Sequence, residues 1–420
     1  MSHRRVVLGA WVVVAACGKP PAAVAPVPTA APVRPGIEVL LLDSLSLVGG
    51  MRLGLVTNQS GVDHLGVGDV ERLRGAGLNL VALFSPEHGF RGSAPPGAEV
   101  ANSVDSATSL PIYSLYGRNR SVTPEMLAGV DVILVDLQDA GARYFTYLAT
   151  TVEVLRAAAR DGKRVLLLDR PNPIADAVQG NVLDTAFASS VGLLPVPMRH
   201  GLTLGELARL ANMELGVGAD LTVIPVAGWR TAQYWDDTGL PFIPPSPNLR
   251  TLEALLHYPG LCLFEGTNLS VGRGSGHPFE QVGAPWLDSR EVVERLEAAR
   301  LPGVRFSRVH FTPHDPGDGK YADTALAGIR LTVTDRATYD PTRTAVVLMA
   351  TIRDVHPDRL RWNAAQFDRL AGNSVLRLAL EQGASPEVAL GAWPDQRQAY
   401  LERRRTALLY PRAPAPAQLP

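Results

Sequence analysis

The chain has 420 residues, of which 46% are hydrophobic, with 40 Lys and Arg against 41 Asp and Glu. This length allows a large buried core and more than one domain, because single cores rarely grow beyond roughly 250–300 residues. The net charge of -1 and the aromatic content of 6% exclude the basic, aromatic-rich surface typical of nucleic-acid-binding proteins, so nucleic acid is not expected as a partner.

Residues 1–17 have the pattern of a secretory signal. Arg4 and Arg5 precede the apolar run VVLGAWVVVAAC, which is too short to span a bilayer as a helix. Its last four residues, VAAC, resemble a bacterial lipoprotein box. We therefore expect Cys17 to be lipidated and to anchor the protein at the periplasmic face of a membrane, and Gly18 after it favours the outer membrane. An ordinary cleaved signal with an incidental cysteine is the alternative.

Residues 18–36 are rich in Pro and Ala and are expected to form an extended tether, with the fold beginning near Ile37. Residues 411–420 have the same composition and are expected to be a disordered tail. If Cys17 is acylated, Cys262 is the one remaining cysteine, which excludes a disulfide framework.

The next part of the chain alternates strands and helices. Four apolar segments predict strands: RLGLVT (52–57), LVALFS (80–85), VDVILVDLQD (130–139) and RVLLLDRPNP (164–173). Helical patterns lie between them, including TYLATTVEVLRAAARDGK (146–163). Continuous apolar strands alternating with helices indicate an α/β fold whose parallel sheet is covered on both faces.

Polar side chains follow each of these strands. The clusters are Asn58-Gln59, Glu87-His88, Asp136 with Gln138-Asp139, and Asp169 to Asn172. Ligands of such sheets bind at the carboxyl ends of the strands. A single carboxylate at such a position is more often a cap or turn former, but four clusters at one edge indicate an active or binding cleft.

Several other site types are not supported. The chain has no phosphate-binding G-x-x-x-x-G-K-[ST] motif and no G-x-S-x-G nucleophile elbow. His310 and His314 have helical spacing, but Pro313 interrupts any helix that would align them. We therefore expect neither a metal nor a cofactor.

Two further motifs carry polar groups. MRHGLTLGELARL (198–210) places Arg199-His200 before a helix that is expected to begin near Thr203, where Thr203 and Glu206 form a capping box. YPGLCLFEG (258–266) is expected to be a strand-like stretch that delivers Glu265 into a glycine-rich turn, and Asn268, Arg273 and Glu280 follow it.

From residue 288 the pattern changes to a run of helices and alternating strands. SREVVERLEAARLPGVRF predicts a helix and a strand, AGIRLTVTD a strand, and TAVVLMATIRDVHPD a helix. Residues 288–410 are therefore expected to form a second, smaller α+β domain.

The ordered series of motifs resembles one family. LVTNQSGVD, LFSPEHGFRG, VDLQDAGARYFTYL, LDRPNP, MRHGLTLGELA, LPFIPPSPNL and YPGLCLFEGTNLSVGRGSGHPFEQVGAPW resemble the exo-β-N-acetylmuramidases of the NamZ/YbbC type. The resemblance implies a Rossmann-like catalytic domain (37–287), the smaller C-terminal domain, and an active-site cleft between them. It also implies release of N-acetylmuramic acid from the non-reducing end of peptidoglycan fragments, with no cofactor.

Under this resemblance Glu87 matches the Glu of the S-P-E-H-G motif and is expected to be the general acid, with His88 orienting it or contacting substrate. Burial at a strand end favours the protonated acid, because desolvation disfavours the charged form. Asp139 and Glu265 are the candidates for a second carboxylate, and the 2-acetamido oxygen of the substrate is the alternative.

Muramic acid carries a lactyl carboxylate, which an arginine can bind through two parallel hydrogen bonds. Arg143, Arg199 and Arg273 are the candidates, and a structural ion pair is the alternative for each. The remaining expected pocket residues are polar side chains of the same motifs: Asn58, Gln59, Tyr144, Tyr147, Asn172, His200, Asn268 and Glu280. A non-catalytic glycan-binding lipoprotein and a β-hexosaminidase of other specificity are the competing functions.

Overall fold

The computed structural model describes residues 32–117 and 121–412. The expected signal segment, Cys17, most of the tether and residues 413–420 lie outside the described residues. Within the described part, no helix is both long and apolar enough to cross a membrane.

Twelve strands and twelve helices form the described fold. The strands are β1 (Arg52–Thr57), β2 (Asn79–Ser85), β3 (Ser103–Val104), β4 (Pro111–Ser114), β5 (Val132–Asp136), β6 (Arg164–Leu168), β7 (Gln179–Val182), β8 (Pro197–Arg199), β9 (Asp220–Ile224), β10 (Gln281–Ala284), β11 (Val304–Phe311) and β12 (Leu326–Val333). The helices are α1 (Gly36–Asp43), α2 (Asp69–Gly75), α3 (Pro124–Leu127), α4 (Tyr147–Asp161), α5 (Leu204–Glu214), α6 (Leu252–Leu261), α7 (Ser289–Ala298), α8 (Pro341–Val355), α9 (Ala364–Ala371), α10 (Val375–Glu381), α11 (Pro386–Leu390) and α12 (Trp393–Arg403).

A seven-stranded sheet with the order β3-β4-β2-β1-β5-β6-β9 forms the centre of the fold. All neighbouring pairs are parallel except β3 with β4. The apolar runs give strands whose residues are buried on both faces, as in β5, where all five residues are buried. The α/β expectation and the four predicted strands are confirmed.

The chain moves outward from β1 in both directions, since β2 pairs with one side of β1 and β5 with the other. The carboxyl ends of these three strands are therefore adjacent. This reversal of strand order is the position at which open α/β sheets form a crevice, and the segments after β1, β2 and β5 carry the predicted polar clusters.

A smaller antiparallel sheet with the order β10-β12-β11 lies in the C-terminal part. Helix α7 packs on β11, and α8 packs on α6 and α7. The helices and strands predicted after residue 288 are confirmed. The expected domain boundary near residue 287 stays a prediction.

The expectation for residues 258–266 was wrong. Helix α6 begins after Thr251, whose hydroxyl accepts a hydrogen bond from the Ala254 N–H, and a 3₁₀ turn at Cys262–Gly266 carries Glu265. The run is apolar because α6 is buried from Ala254 onward. A short, fully buried helix cannot be distinguished from a buried strand by periodicity.

The fold also begins earlier than expected. Arg34 forms a β-bridge with Ala227, and the Gly36 N–H donates to the Asp169 carbonyl at 2.9 Å. Residues 33–36, expected in the tether, therefore pack on the central sheet. At the other end, the Arg412 side chain pairs with Glu206, so the first two residues of the expected tail also contact the fold.

Candidate functional site

A cavity of about 190 Å³ lies beyond the carboxyl ends of the central strands. Five of the residues predicted from the sequence line it: Glu87, His88, Tyr144, Glu265 and Arg273. They come from the segment after β2, the segment before α4, and the turn and loop after α6. The cavity thus joins the central sheet to the C-terminal part of the chain.

Glu87 lies two residues after β2, in a turn closed by a hydrogen bond from the Gly89 N–H to the Pro86 carbonyl. Its side chain is held at both oxygens. Oε1 accepts from the Gly97 N–H at 3.0 Å, and Oε2 contacts the Thr146 hydroxyl at 2.7 Å. The carboxyl group is therefore fixed against the cavity while only 9% of the residue is exposed.

His88 stabilises the loop that follows. Its backbone has φ 71°, in the left-handed region that few side chains adopt. Its Nδ1 lies 2.8 Å from the Ala94 carbonyl, which can only accept, so Nδ1 carries a proton and Nε2 is free of one in the neutral ring. Burial lowers the pKa of His88, so the neutral ring is favoured.

Glu265 and Arg273 form an ion pair at the opposite wall. Arg273 Nε lies 2.6 Å from Glu265 Oε1, and Nη2 lies 2.5 Å from the same oxygen. Both side chains are mostly buried, with 17% and 12% exposed. Lys320 donates to the carbonyls of Glu265 and Leu269 at 3.0 and 3.1 Å, which fixes the turn that carries Glu265.

Aromatic rings form much of the remaining wall. Tyr144 and Tyr258 pack edge to face with centroids 6.0 Å apart, and Tyr258 packs on Phe279 at 4.9 Å. The Tyr144 hydroxyl donates to the Pro259 carbonyl, so its ring faces the cavity and its polar end is satisfied elsewhere. Apolar ring faces beside a few charged groups are typical of a binding site for a small polar ligand.

Two further cavities adjoin this one. One of about 330 Å³ shares Tyr116, Thr146 and Ser190 with it. The other, of about 380 Å³, shares Pro96, Glu265 and Arg273 and extends to Lys320. Glu87 lines only the first cavity, which shares residues with both of the others.

Three predicted pocket residues instead fix the loops after β1 and β5. Asn58 donates to the Tyr147 hydroxyl at 2.6 Å, and Tyr147 donates to the Pro245 carbonyl at 2.9 Å. Gln59 donates to the Pro244 carbonyl at 2.9 Å. These side chains connect β1 and α4 to the segment before α6 and do not line the cavity.

Two of the three candidate arginines are also absent from the cavity lining. Arg143 is buried and donates to the carbonyls of Asn181, Val196, Leu370 and Ala371 at 2.8–3.0 Å. Arg199 is buried and bonds to Gln179 and to the Ile174 carbonyl. Burial lowers the pKa of both guanidinium groups.

Asp139 and His200 form a separate buried pair. Asp139 Oδ2 accepts from the Gly141 N–H at 2.6 Å and lies 3.3 Å from His200 Nε2. The structure places this pair beside a void of only about 10 Å³, so it does not bring Asp139 to Glu87. Asp139 shapes the tight turn after β5.

The last three predicted residues make structural contacts. Asn172 donates to the Leu202 carbonyl at 2.9 Å, and Asn268 exchanges hydrogen bonds with the backbone of Arg359 and Arg361. Glu280 accepts from the Thr251 hydroxyl at 2.6 Å and lies 2.8 Å from His277 Nδ1.

A buried charge cluster fills the sheet edge below the cavity. Arg170, after β6, pairs with Asp136 at the end of β5, and its Nη2 lies 3.9 Å from Asp69. Burial raises the pKa of both carboxyl groups, and the Asp136 charge raises that of Asp69 further. These three side chains therefore fill the position where the strand order reverses, and they do not line the cavity.

One group of side chains in the described residues has the spacing of a metal site: Glu38, Asp63 and His64. Glu38 Oε1 already accepts from the His64 backbone N–H and lies 2.8 Å from its Nδ1. Arg72 Nε lies 3.2 Å from Asp63. Glu38 Oε1 is thus already engaged by His64, Asp63 is paired in charge with Arg72, and the group lies outside the cavity lining.

Sequence reasoning missed several residues that line the cavity, of which Thr146, Tyr258 and Phe279 matter most to its shape. All three lie inside motifs that the sequence analysis quoted. Thr146 had one signal of its own, because it is the first residue of the helical pattern that became α4.

Comparisons with known proteins give the family. The profile described as "Exo-beta-N-acetylmuramidase NamZ, N-terminal" matches residues 53–253, and the profile of the corresponding C-terminal domain matches residues 256–410. The chain belongs to the NamZ exo-β-N-acetylmuramidase family. Membership confirms the expected glycoside hydrolase class and the resemblance on which it rested.

Individual NamZ relatives agree with this. A protein of Bacillus subtilis (strain 168) described as "Peptidoglycan beta-N-acetylmuramidase NamZ" is 41% identical over 381 residues, covering 90% of this chain and 91% of that protein. Two crystal structures of DUF1343 family proteins from Bacteroides fragilis NCTC 9343 superpose with TM-scores of 0.83 and 0.75. They are 32% and 30% identical and cover 90% and 91% of this chain and 99% and 100% of their own.

Proposed function

We propose that this NamZ family member removes N-acetylmuramic acid from the non-reducing end of peptidoglycan fragments, with Glu87 as general acid. The observation that carries the proposal is the placement of Glu87, held at both oxygens, in a cavity with a second cavity adjoining it on the side of Thr146 and a third on the side of Arg273. A general acid must reach the oxygen between the two sugars that the reaction separates.

In the reaction, the Glu87 proton passes to the glycosidic oxygen as the bond from that oxygen to C1 breaks. The electron pair of the broken bond stays with the leaving sugar, which keeps the Glu87 proton. A water molecule supplies the new hydroxyl at C1, and its other proton passes to a carboxylate of the site, which restores the original number of protons. We propose Glu265 as the second carboxylate, because it lines the same cavity and Arg273 holds its Oε1. Within the part of the chain that the structure describes, Glu265 Oε2 has one weak donor, Cys262 Sγ at 3.8 Å.

Arg273 is the arginine best placed for the lactyl carboxylate. Its Nε and Nη2 bind Glu265, whereas no hydrogen bond within the described residues uses Nη1. The terminal nitrogens of Arg143 and Arg199 donate to backbone carbonyls and Gln179, and neither side chain lines the cavity. The Arg273 guanidinium can bind the lactyl carboxylate of muramic acid, which neutral amino sugars lack. Its presence therefore favours a muramidase over a hexosaminidase that acts on neutral amino sugars.

The test compares two substrates in Glu87→Gln and Glu265→Gln. With the disaccharide of muramic acid and glucosamine, we expect Glu87→Gln to lower kcat by roughly 10²–10⁴. With 4-nitrophenyl β-N-acetylmuramide the loss should be much smaller, since nitrophenolate leaves without protonation. Glu265→Gln should impair both substrates alike.

Three outcomes would contradict the proposal. Equal losses on both substrates in Glu87→Gln would remove the acid role. Turnover of the 4-nitrophenyl glucosaminide but not the muramide would favour the hexosaminidase alternative. Binding of muropeptides without any turnover by the folded wild-type protein would favour the glycan-binding alternative.

We further propose that Cys17 is lipidated and holds the enzyme at the periplasmic face of the outer membrane. The support is the VAAC sequence ending at Cys17, followed by Gly18 and the Pro/Ala segment. Labelling with a fatty-acid analogue in a bacterial host should mark the wild-type chain and not Cys17→Ser. Equal labelling of both, or of neither, would reject the anchor.

A further inference from the structure

Thr146 occupies a position at which its hydroxyl would be expected to cap a helix. It directly precedes α4, yet its side chain makes no capping hydrogen bond. Thr203 and Thr251 precede α5 and α6 with extended backbones, and both accept hydrogen bonds from the first turn of their helices. The backbone of Thr146 is helical instead, with φ -77° and ψ -7°, so its hydroxyl is not engaged in capping α4.

The Thr146 hydroxyl is directed to Glu87 instead. Its Oγ1 lies 2.7 Å from Glu87 Oε2, and the residue is half-buried between the middle cavity and the neighbouring one. Glu87 Oε2 therefore lies on the side of the middle cavity at which Thr146 also lines the neighbouring one. If sugars occupy these two cavities, the oxygen between them comes within reach of Oε2.

The two partners of Glu87 differ in what they can do. The Gly97 N–H can only donate, so Oε1 is the oxygen that serves as acceptor in both protonation states. A hydroxyl can both donate and accept. Thr146 can thus keep its contact with Oε2 when Glu87 is a neutral acid and when it is a carboxylate.

We propose that Thr146 is a positioning residue for the general acid, and that Oε2 is the oxygen of Glu87 from which the proton leaves. The inference rests on the proposed acid role of Glu87. As the proton moves from Oε2 to the glycosidic oxygen and the bond from that oxygen to C1 breaks, the Thr146 hydroxyl donates to the carboxylate that forms. A hydrogen bond to a charged group is stronger than one to a neutral group.

The test uses Thr146→Val, which removes the hydroxyl and keeps the shape, and Thr146→Ser, which keeps the hydroxyl. We expect Thr146→Val to lower kcat for the disaccharide by roughly ten- to a hundredfold, with KM changed by less than about threefold. In the same variant, kcat for the 4-nitrophenyl muramide should fall by less than about threefold. Thr146→Ser should restore most of the disaccharide activity.

The pH profile adds a readout that a purely structural role would not move. Without the hydroxyl the ionised carboxylate loses a donor, so the alkaline limb of kcat/KM should move to higher pH. The other titratable groups around Glu87 are His88, Glu265, Arg273 and the tyrosines at 116, 144, 147 and 258. All are unchanged in these variants, so the difference from wild type reports on Thr146.

Thr351→Val is the matched control, because among the described residues the Thr351 hydroxyl on α8 donates only to the Val347 carbonyl of its own helix. It should leave kcat and the pH profile unchanged. If Thr146→Val fails to fold, Thr146→Ala makes the same test. Wild-type disaccharide turnover in the variant lacking the hydroxyl, equal losses on both substrates, or no rescue by serine would each overturn the proposal. In those cases Glu87→Gln would still lose more activity on the disaccharide than on the 4-nitrophenyl muramide. That result would reject the role of Thr146 and leave the acid role of Glu87 in place.

Discussion

At the residue scale, the proposed site gives Arg273 two tasks that a lysine could not perform together. Two of its nitrogens bind Glu265 and the third is available for substrate, because the guanidinium is a planar fork with five donors. A lysine ammonium at this position would be a single point charge and would have to choose between Glu265 and the lactyl group.

We therefore expect Arg273→Lys to weaken inhibition by N-acetylmuramic acid by roughly ten- to a hundredfold, the range for a lost charged hydrogen bond. Inhibition by N-acetylglucosamine, which lacks the lactyl group, should change by less than about twofold. Measuring both inhibition constants isolates the lactyl contact from any disturbance of Glu265. An equal change in the two constants would show that Arg273 does not contact the lactyl group.

The sequence located Glu87 because a carboxylate directly after a buried strand must lie at the sheet edge. It could not separate Arg273 from Arg143, since both follow glycine-containing motif turns. Arg143 is satisfied by carbonyls of Asn181 and Ala371, which lie 38 and 228 residues further along the chain. Such partners are brought together only by the complete fold, so residue type and spacing do not reveal them.

At the scale of elements, the turn that carries Glu265 depends on close packing against α9. A Cβ added at Gly266 would lie 2.5 Å from the Phe367 Cα and 2.8 Å from its backbone nitrogen. Backbone atoms cannot move aside as a flexible side chain can. The glycine thus allows the Cys262–Gly266 turn and α9 to approach, which sets the depth of Glu265 in the cavity.

We expect Gly266→Ala to lower the free energy of unfolding by about 1–3 kcal/mol, the usual cost of overpacking, and to lower turnover because Glu265 shifts. Thermal unfolding and muramide hydrolysis measure the two effects. Gly129→Ala is the matched control, since a Cβ at Gly129 meets no atom within 4 Å. Wild-type stability and turnover in Gly266→Ala would show that the turn tolerates displacement.

Helices that bury one face and expose the other were easier to predict from the sequence than helices that are buried on all sides. Helix α5 is amphipathic and has a capping box between Thr203 and Glu206, and the sequence predicted both the helix and its capping box. Helix α6 is buried on nearly all sides, so its sequence has no polar face to reveal the helical period. The expected strand there was wrong for this reason.

At the scale of the whole molecule, Asp169 connects three distant parts of the chain. It follows β6, accepts from the Gly205 N–H and the Thr203 hydroxyl at the start of α5, and contacts the Tyr410 hydroxyl at 2.6 Å. Complete burial raises the pKa of Asp169 to about 7 from its ordinary value of 3.8. The folded protein therefore holds a proton that the unfolded chain releases at lower pH.

Because the folded state binds more protons than the unfolded state between about pH 4 and pH 7, this group makes stability fall as pH rises through that window. In Asp169→Asn the amide can donate to the two hydroxyls, so the contacts persist without the titration. Between pH 5 and pH 7.5, the free energy of unfolding of the wild-type protein should fall by up to about 3 kcal/mol more than that of the variant. Denaturant unfolding at the two pH values measures this difference. The control is Asp220→Asn, at the exposed start of β9, whose free energy of unfolding should change with pH as that of the wild type does. If the free energy of unfolding of Asp169→Asn also changes in this way, Asp169 is ionised throughout this range.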